Sequence, residues 1–305
     1  MTRKLFFNIL IYISIAFLVY YLFKYNYIDI KGLSFDPVYL VLSVVFLWGG
    51  FFASTFGWKR ILNVHGVPSS VEDAIKSHGL SVFAKYIPGK VWVILGRASK
   101  ISLGGYSLKT TSFASLKEQL IYLWLGFLQA LCYLLVINSQ VELLLLVVLL
   151  IVGLTLFNFS GWFRKIISFF YIRIFKKELE IPVVKTKEVL SVIGIITFYW
   201  LLWDIAFWLF IRSTFSDVHF IVSFIFPLSI SLGLIAVIVP GGFGIREGLI
   251  VVGLTSFGIP LELATTISIA ARLWFISGEV FIFLLALVLE KFGKKRNDSN
   301  RAGEE

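Results

Sequence analysis

Long apolar runs most restrict how this chain can fold. A helix needs about 20 mostly apolar residues to cross the hydrocarbon core of a bilayer. The runs that meet this requirement are 5–23, 38–57, 119–137, 141–159, 189–211, 220–239 and 262–289. With 58% hydrophobic and 15% charged residues, the 305-residue chain has too few charges to cover a soluble domain. The sequence therefore predicts an all-α fold, a polytopic transmembrane helix bundle with about eight spans.

The net charge of +10 comes from lysines and arginines in the polar gaps between apolar runs. They are concentrated in residues 58–118, 160–188 and 290–305, whereas the other gaps carry few charges of nearly balanced sign. This asymmetry is typical of cytoplasmic segments, so both termini are expected in the cytoplasm. We expect residues 1–290 to form one transmembrane domain and 291–305 a polar, disordered tail. The positive charge is explained by membrane topology and by attraction to anionic lipid headgroups. No nucleic-acid partner is expected.

Several classes of function are disfavoured by what the sequence lacks. Cys132 is the one cysteine, and the histidines (His65, His78 and His219) lack the spacing of a metal site, so neither disulfides nor a metal is expected. No phosphate-binding loop, dinucleotide fingerprint or nucleophile elbow occurs, and no cofactor is expected. The positive N-terminus precedes a long apolar run without a small-residue cleavage site. This favours a retained first helix over a signal peptide.

Two segments, 58–118 and 240–261, are apolar in part but interrupted by glycine, proline and charge. The first contains either one re-entrant hairpin or two short spans. The second must cross outward if residue 240 and the C-terminus lie on the same side. A helix over residues 246–258 would be roughly 20 Å long, which is shorter than the core of about 30 Å. The sequence therefore predicts irregular structure at membrane depth.

The stretch VPGGFGIREG at the start of the second segment disrupts a continuous helix. Its proline lacks a backbone N–H, and its glycines allow unusual backbone conformations. The residues concerned are Pro240, Gly241, Gly242 and Gly244. Freed amides cannot face lipid, so the stretch is either a cavity-lining break in a helix or a tight turn at the cytoplasmic surface. A helix restarting at about Ile245 would direct its N-terminal N–H groups into such a cavity as an anion site.

Two arginines and two glutamates lie in the apolar second half of the chain. Arg246 and Glu247 are adjacent and cannot pair with each other on a helix, whereas Arg272 and Glu279 share one face of the last span. A charge at the bilayer centre costs at least about 2.5–3.5 kcal/mol, so these side chains should face the interior. The natural partners are Arg246 with Glu279 and Arg272 with Glu247, although the sequence leaves the order open. They form either a structural ion-pair link between helices or a site for a zwitterionic or phosphate headgroup.

The first half contains a weaker echo of this pattern, KYIPGKVWVILGR. Pro88 and Gly89 precede Lys90 and Arg97, which would share a helix face and suit a phosphate. Snorkelling lysines on a surface helix are the alternative. Glycine- and proline-interrupted segments in two halves of a transporter often mark a midplane site. The predicted topology puts both motifs on the cytoplasmic side, which does not favour a simple inverted repeat.

Two further carboxylates are candidates for interior positions. Glu118 directly precedes the span 119–137, and Asp204 lies in YWLLWDIAFWLF among apolar neighbours. Asp204 is expected to pair with Arg97 or Arg272, or to relay protons. Structural pairing and functional use fit Asp204 equally well.

KYIPGKVWVILGR, the acidic position in SLKEQL and above all VPGGFGIREG resemble the lysylphosphatidylglycerol synthase transmembrane-region family. The resemblance covers about residues 8 to 290 and implies a bundle with broken or re-entrant helices around a lipid-accessible cavity. It also implies movement of lipids or lipid-linked glycans between leaflets. The positions that match the family's motifs are Pro240, Gly241, Gly242, Gly244, Arg246 and Glu247, then Pro88, Gly89, Trp92 and Arg97, and finally Glu118. The 305 residues contain no aminoacyl-transferase domain, so lysyl-lipid synthesis is not expected from this chain.

The function that fits these features is a protein of the bacterial inner membrane that binds and flips a phospholipid or a polyprenyl-phosphate-linked glycan. The candidate headgroup cations are Lys90, Arg97, Arg246 and Arg272, and the candidate relays are Glu118, Asp204, Glu247 and Glu279. One alternative is an integral-membrane transferase that uses a buried carboxylate as base. Another is a non-transporting subunit of a cell-envelope glycosylation complex with a glycosyltransferase partner. The absence of a recognisable catalytic grouping favours a transporter over an enzyme.

Overall fold

The computed structural model describes residues 34–87, 91–137, 141–159, 162–176, 186–236 and 240–302, with isolated positions before residue 25. These residues form helices and connecting turns and contain no β-strand, which confirms the predicted all-α class. The α-helices are Pro37–Val64 (α1), Val71–Ser81 (α2), Val91–Ser102 (α3), Leu108–Val136 (α4), Val141–Phe159 (α5), Trp162–Phe175 (α6), Thr186–Arg212 (α7), Ile225–Ile235 (α8), Ile245–Thr255 (α9) and Leu261–Ala302 (α10). Short 3-10 helices cover Val82–Tyr86, Phe220–Phe224 and Pro240–Gly242.

Local signals in the sequence set where the first helices begin. Asp36 precedes α1, and its side chain accepts a hydrogen bond from the Val38 N–H at 2.8 Å, while Pro37 occupies the first helical position. An acceptor before a helix and a proline at its start both favour helix initiation. Ser70 and Asp73 form a reciprocal capping box at the start of α2.

Five of the described helices, α1, α4, α5, α7 and α10, are long and apolar enough to cross a membrane. They correspond to the predicted spans 38–57, 119–137, 141–159, 189–211 and 262–289. Helix α4 begins at Leu108, well before residue 119. Lys117 and Glu118 interrupt the apolar run in the sequence, but the helix continues through them and both side chains are buried. The predicted span 5–23 lies outside the described residues, apart from isolated positions.

The spans α1 and α7 run in opposite directions. The N–H of Asp36, just before α1, donates to the carbonyl of Ser213, just after α7, at 2.6 Å. Near the other ends of these helices, Arg60 Nε donates to Ser191 Oγ at 2.7 Å. The end of α1 and the start of α7 therefore lie on one side of the bundle, and the start of α1 and the end of α7 lie on the other.

We call the side where α1 ends and α4 begins (residues 59–71 and 100–109) the basic face. The side where α4 ends and α10 begins (residues 133–137 and 256–261) is the opposite face. The basic face carries Lys59, Arg60, Lys76, Lys100 and Lys109. This is the side that the charge pattern assigns to the cytoplasm.

Helix α2, the 3-10 helix after it and α3 form a first hairpin, which enters and leaves the bundle at the basic face. Its ends meet there, because the Tyr106 hydroxyl donates to the Pro68 carbonyl at 2.9 Å. The re-entrant alternative for residues 58–118 is therefore correct. Residues 88–90, which separate Ile87 from α3 in the sequence, lie outside the described part of the chain.

The first hairpin reaches deep into the bundle along α10. Near its base, Lys100 pairs with Glu290 of α10 at 2.8 Å. Near its tip, Tyr86 contacts Glu279, which lies three helical turns earlier on α10. At 1.5 Å per residue these two carboxylates are about 16 Å apart along the helix axis, or roughly half the thickness of a bilayer core.

Helices α8 and α9 and the turn between them form a second hairpin, which enters and leaves at the opposite face. At its base, a Cβ on Gly253 of α9 would lie 2.4 Å from the side chain of Ile225, the first residue of α8. The hydroxyl of Tyr133, near the end of α4, donates to the Gly253 carbonyl at 3.1 Å. Each arm has 11 residues and is therefore about 16 Å long, too short to cross a core of about 30 Å.

Several predictions for this region need correction. Over the described positions, residues 220–236 and 240–255 form the two arms of one hairpin, so neither segment crosses the bundle as predicted. Five of the described helices are long and apolar enough to span. The two interrupted motifs also approach from opposite faces, not both from the cytoplasmic side. Apolarity marks a segment as buried in the membrane but does not distinguish a crossing helix from a hairpin arm. The restart of the helix at Ile245 and its short length were predicted correctly.

Helix α10 continues past the apolar region as far as Ala302. The expectation that residues 290–305 are disordered is therefore wrong over the described part of that segment. The first charged residues of the tail, Lys291, Lys294, Lys295 and Arg296, are good helix formers, and a long helix that is already formed extends through them at low cost.

Candidate functional site

A cavity lies between the two hairpins and the spans α1, α4, α7 and α10. It contains about 920 Å³ of unfilled space, part of which opens to the surroundings. Its titratable lining consists of His78, Lys85, Arg97, Glu118 and Arg246, together with two tyrosines. Its aromatic lining consists of Phe51, Tyr122, Tyr199, Trp203 and Phe275. Both predicted motif regions therefore contribute to one cavity.

The tip of the second hairpin requires glycine. Gly241, Gly242 and Gly244 have φ angles of 60°, 71° and 83°, a region that other residues rarely adopt. Gly241 lines the cavity, and a Cβ there would lie 2.7 Å from the ring of Tyr86. Of the two alternatives for VPGGFGIREG, the structure confirms the cavity-lining break. The turn begins at Pro240, whose backbone opens the 3-10 helix.

Glu247 occupies the N-terminus of α9. Its Oε2 accepts a hydrogen bond from the Gly244 N–H at 2.6 Å, as in a capping box. The Glu247 carboxylate therefore satisfies a backbone N–H at the start of its own helix. The expectation that the N-terminal N–H groups of this helix form an open anion site is wrong at Gly244. The other oxygen, Glu247 Oε1, lies 3.6 Å from Arg272 Nη1, which confirms the predicted pairing of these two side chains.

Arg272 holds the tip of the second hairpin against α10. Its side chain is buried, and Nη2 donates to the Gly241 carbonyl at 3.0 Å. The guanidinium also lies over the ring of Phe243, 4.1 Å from its centre. Cation–π and charge-assisted contacts of this kind are strengthened by burial. Arg272 is not among the residues that line the cavity, so its observed contacts are structural.

Glu279 holds the tip of the first hairpin in the same way. It is fully buried, forms an ion pair with Lys85 and accepts a hydrogen bond from the Tyr86 hydroxyl at 2.8 Å. The predicted pairing of Glu279 with Arg246 is therefore wrong. Lys85 is one of the basic residues of segment 58–118, and neither Lys85 nor Tyr86 was predicted as a site residue. Their position directly before the Pro-Gly motif was the available signal.

Arg246 differs from the other buried cations. Only 6% of its surface is exposed, it lines the cavity, and no carboxylate lies within 4 Å of it in the described part of the chain. Its guanidinium lies 4.8 Å from the centre of the Phe275 ring, and its Nε has no hydrogen-bond partner among the described residues. A buried cation supported mainly by aromatic faces has unused hydrogen-bonding capacity for an anion.

Arg97 brings a second arginine to the cavity from the first hairpin. It pairs with Glu118 of α4 at 2.5 Å, donates to Ser115 and lies 4.3 Å from the Trp58 ring centre. The sequence predicted both Arg97 and Glu118 as site residues, and the structure places them together in the lining. Pro88, Gly89 and Lys90, which were also predicted, lie outside the described residues.

Asp204 lies elsewhere. It is fully buried on α7, and its Oδ2 accepts a hydrogen bond from Gln129 Nε2 of α4 at 2.7 Å. The predicted pairing with Arg97 or Arg272 is wrong, because both arginines have other partners and Asp204 does not line the cavity. Only its neighbour in sequence, Trp203, contributes to the lining.

The cavity lining carries more positive than negative charge. His78 lies on α2, which is too short to span, and burial lowers the pKa of its imidazole to about 3, with Arg97 and Lys85 acting in the same direction. The ring is therefore neutral at pH 7. The lining thus has three cations, Lys85, Arg97 and Arg246, against the carboxylate of Glu118, with that of Glu279 behind Lys85. Such an arrangement suits a single negative charge.

Comparison with known proteins agrees with the architecture. The family model described as Lysylphosphatidylglycerol synthase TM region matches residues 6–278. No curated protein matches the chain. Together with the five long apolar helices, the family match indicates a multi-pass integral membrane protein of lipid metabolism or transport.

Proposed function

This chain belongs to the lysylphosphatidylglycerol synthase TM-region family, and on that premise we propose that it binds the anionic headgroup of a membrane lipid and moves it between leaflets. The observation that carries the proposal is Arg246, a buried arginine that lines the cavity without a carboxylate partner in the described residues. A buried charge left in this state is costly. A phosphate in the cavity would offset that cost through charge-assisted hydrogen bonds.

The arrangement of cations supports movement across the membrane as well as binding. Lys85 and Arg97 reach the cavity from the hairpin of the basic face, whereas Arg246 reaches it from the hairpin of the opposite face. A headgroup that enters from one side would meet cations supplied from both sides in turn. In this proposal the headgroup occupies the cavity and the acyl chains remain in the bilayer. With the basic face in the cytoplasm, the path runs through a bacterial inner membrane.

The geometry gives less support to a transferase. A general base needs a carboxylate that is free to accept a proton from the substrate. Glu118 pairs with Arg97, Glu247 caps α9 and contacts Arg272, and Glu279 holds Lys85. These three carboxylates are thus engaged in contacts that hold the hairpins or α4 in place, and the fourth candidate, Asp204, does not line the cavity.

The test is lipid translocation by the purified protein in liposomes. Fluorescent phosphatidylglycerol would be the probe, and a membrane-impermeant quencher would report the fraction in the outer leaflet. Arg246→Met keeps the apolar bulk beside Phe275 but removes the charge, so we expect translocation to be lost. The matched control is Arg212→Met at the end of α7, where the arginine lies over Tyr39 and Trp208 away from the cavity.

Arg246→Met removes a hydrogen bond between the guanidinium and the charged headgroup, worth about 1.5–3 kcal/mol. This corresponds to an affinity for the headgroup that is weaker by about 10- to 150-fold. Undiminished translocation by the variant would contradict the proposal. Absence of translocation from the wild type, with co-purification of a glycosyltransferase, would support a non-transporting subunit instead.

A further inference from the structure

Asp204 is a buried carboxylate that the proposed headgroup site does not use. It lies eight residues before Arg212, the last residue of α7, and is therefore about 12 Å from that helix end. Its side chain has no exposed surface. Among the described residues, no lysine or arginine lies within 4 Å of it. An ionised carboxylate at this depth without a cation is strongly disfavoured relative to the protonated acid.

The partner of Asp204 can serve both of its protonation states. Gln129 Nε2 donates to Asp204 Oδ2 at 2.7 Å, as suits a carboxylate. Asp204 Oδ1 and Gln129 Oε1 have no hydrogen-bond partner among the described residues. When the acid is protonated, rotation of the amide lets Gln129 Oε1 accept its proton, since an amide offers both donors and an acceptor. This pair can therefore gain or lose one proton without leaving a buried charge entirely unsupported.

The surroundings of Asp204 connect it to Arg246. Two neighbours of Asp204 on α7, Trp203 and Phe207, pack against aromatic rings of other elements. These rings are Phe51 from α1, Tyr122 from α4, Phe226 from α8, and Trp274 and Phe275 from α10. The titratable side chain among them, Tyr122, interacts electrostatically with Asp204, Arg246, Glu118 and Glu279. Arg246 lies over two of these rings, Phe226 and Phe275, and Lys85 also lies over Phe275. An ionised Asp204 would balance the charge of Arg246, and an anion bound at Arg246 would favour the protonated acid.

Helix α8 brings the second hairpin into contact with the same region. Gly126 lies one turn before Gln129 on α4, and a Cβ there would lie 2.3 Å from Ser231 Oγ of α8. The Ser231 hydroxyl also has no hydrogen-bond partner among the described residues. Its neighbours on α8, Ile230 and Gly233, line the cavity. The arm of the second hairpin thus packs beside the Asp204–Gln129 pair.

We propose that Asp204 and Gln129 form a proton-binding site that couples headgroup movement to the transmembrane proton gradient. The carboxylate takes up one proton from water when the anion binds at Arg246, and returns it to water when the anion leaves. Asp204 itself does not line the cavity, but its neighbour in sequence, Trp203, does, so water in the cavity lies next to this part of α7. One O–H bond forms and breaks, and no other reactant is needed. Because one anion and one proton move together, the cycle carries no net charge. This inference rests on the proposed function, but the proton site can be tested separately.

The first test is infrared spectroscopy of the protein in phosphatidylcholine nanodiscs over a range of pH. We expect a carbonyl band of a protonated carboxylic acid that disappears at alkaline pH and is absent from Asp204→Asn. The band should persist in Glu262→Gln, which changes an exposed carboxylate of α10. Adding phosphatidylglycerol should shift the titration to higher pH in the wild type and leave it unchanged in Arg246→Met. A band that persists at every pH, or is absent at every pH, would overturn the proposal.

The second test is the distribution of fluorescent phosphatidylglycerol in liposomes with an imposed pH gradient. With one proton per anion, each pH unit should produce an about tenfold difference between leaflets at equilibrium in the wild type. Asp204→Asn should equilibrate the lipid equally between leaflets. An asymmetry that survives in this variant would refute the coupling. No lipid movement in any sample would refute the proposed function, and the infrared titration would still decide whether Asp204 exchanges a proton.

Discussion

The contact between the first hairpin and α10 gives the sharpest prediction about stability. Glu279 has no exposed surface, and it supports both the Lys85 amine and the Tyr86 hydroxyl. Glu279→Leu leaves the Lys85 ammonium, whose side chain is 21% exposed at the cavity, without its carboxylate partner, which costs at most about 3–5 kcal/mol of the free energy of unfolding. The Tyr86 hydroxyl is also left without its acceptor, which adds about 1–3 kcal/mol. We therefore expect a destabilisation of at most about 4–8 kcal/mol, large for any single substitution.

Compensating substitutions separate the two contributions. Lys85→Met added to Glu279→Leu removes the unpaired charge and should recover at most about 3–5 kcal/mol. Tyr86→Phe as a third change should recover most of the remainder. Lys100→Met is the matched control, because the Lys100–Glu290 pair is partly exposed and such pairs contribute about 0–1 kcal/mol. Unfolding in detergent micelles, followed by tryptophan fluorescence, measures all of these values. A stable Glu279→Leu variant, or a double variant no better than the single, would refute the reasoning.

Three further predictions concern the hairpins and are checked by thermal unfolding in the same micelles. Gly241→Ala should destabilise the protein by about 1–2 kcal/mol from backbone strain alone, and further through the clash with Tyr86, whereas Gly248→Ala in α9 should be tolerated. Gly79→Leu should displace the first hairpin from α10, because a Cβ at Gly79 would already lie 2.4 Å from the Ile282 carbonyl oxygen. Tyr133→Phe should cost about 1 kcal/mol, since its hydroxyl donates to Gly253 at the base of the second hairpin. Wild-type stability in Gly79→Leu, or equal effects of the two alanine variants, would contradict this account.

The sequence was sufficient to predict the helical membrane fold and most of its spans. Apolar length identified all five long helices, and capping residues such as Asp36 and Ser70 mark where helices begin. Proline and glycine correctly located the break at residues 240–244. These features depend on local chemistry, and local chemistry can be read directly from the order of residues.

What the sequence did not supply depends on packing between distant elements. Residues 220–236 are as apolar as a span. Only the contacts of Gly253 in α9 with Ile225 and Tyr133 show that the chain returns to the face from which it entered. The partners predicted for Glu279 and Asp204 were wrong for the same reason. Their observed partners, Lys85 and Gln129, lie far from them in the sequence. Helical spacing predicted that Arg272 and Glu279 share a face, but not that each holds a different hairpin.

The most direct test of the central claim is lipid mass spectrometry of the protein purified in a mild detergent. Wild type and Arg246→Met would be compared, with Arg212→Met as the control. The account predicts that wild type and control retain a specific anionic phospholipid or polyprenyl phosphate, and that Arg246→Met loses it while remaining folded. The same unselective lipid mixture from all three folded proteins would contradict a headgroup site at Arg246. Failure of Arg246→Met alone to fold would assign that arginine a structural role instead.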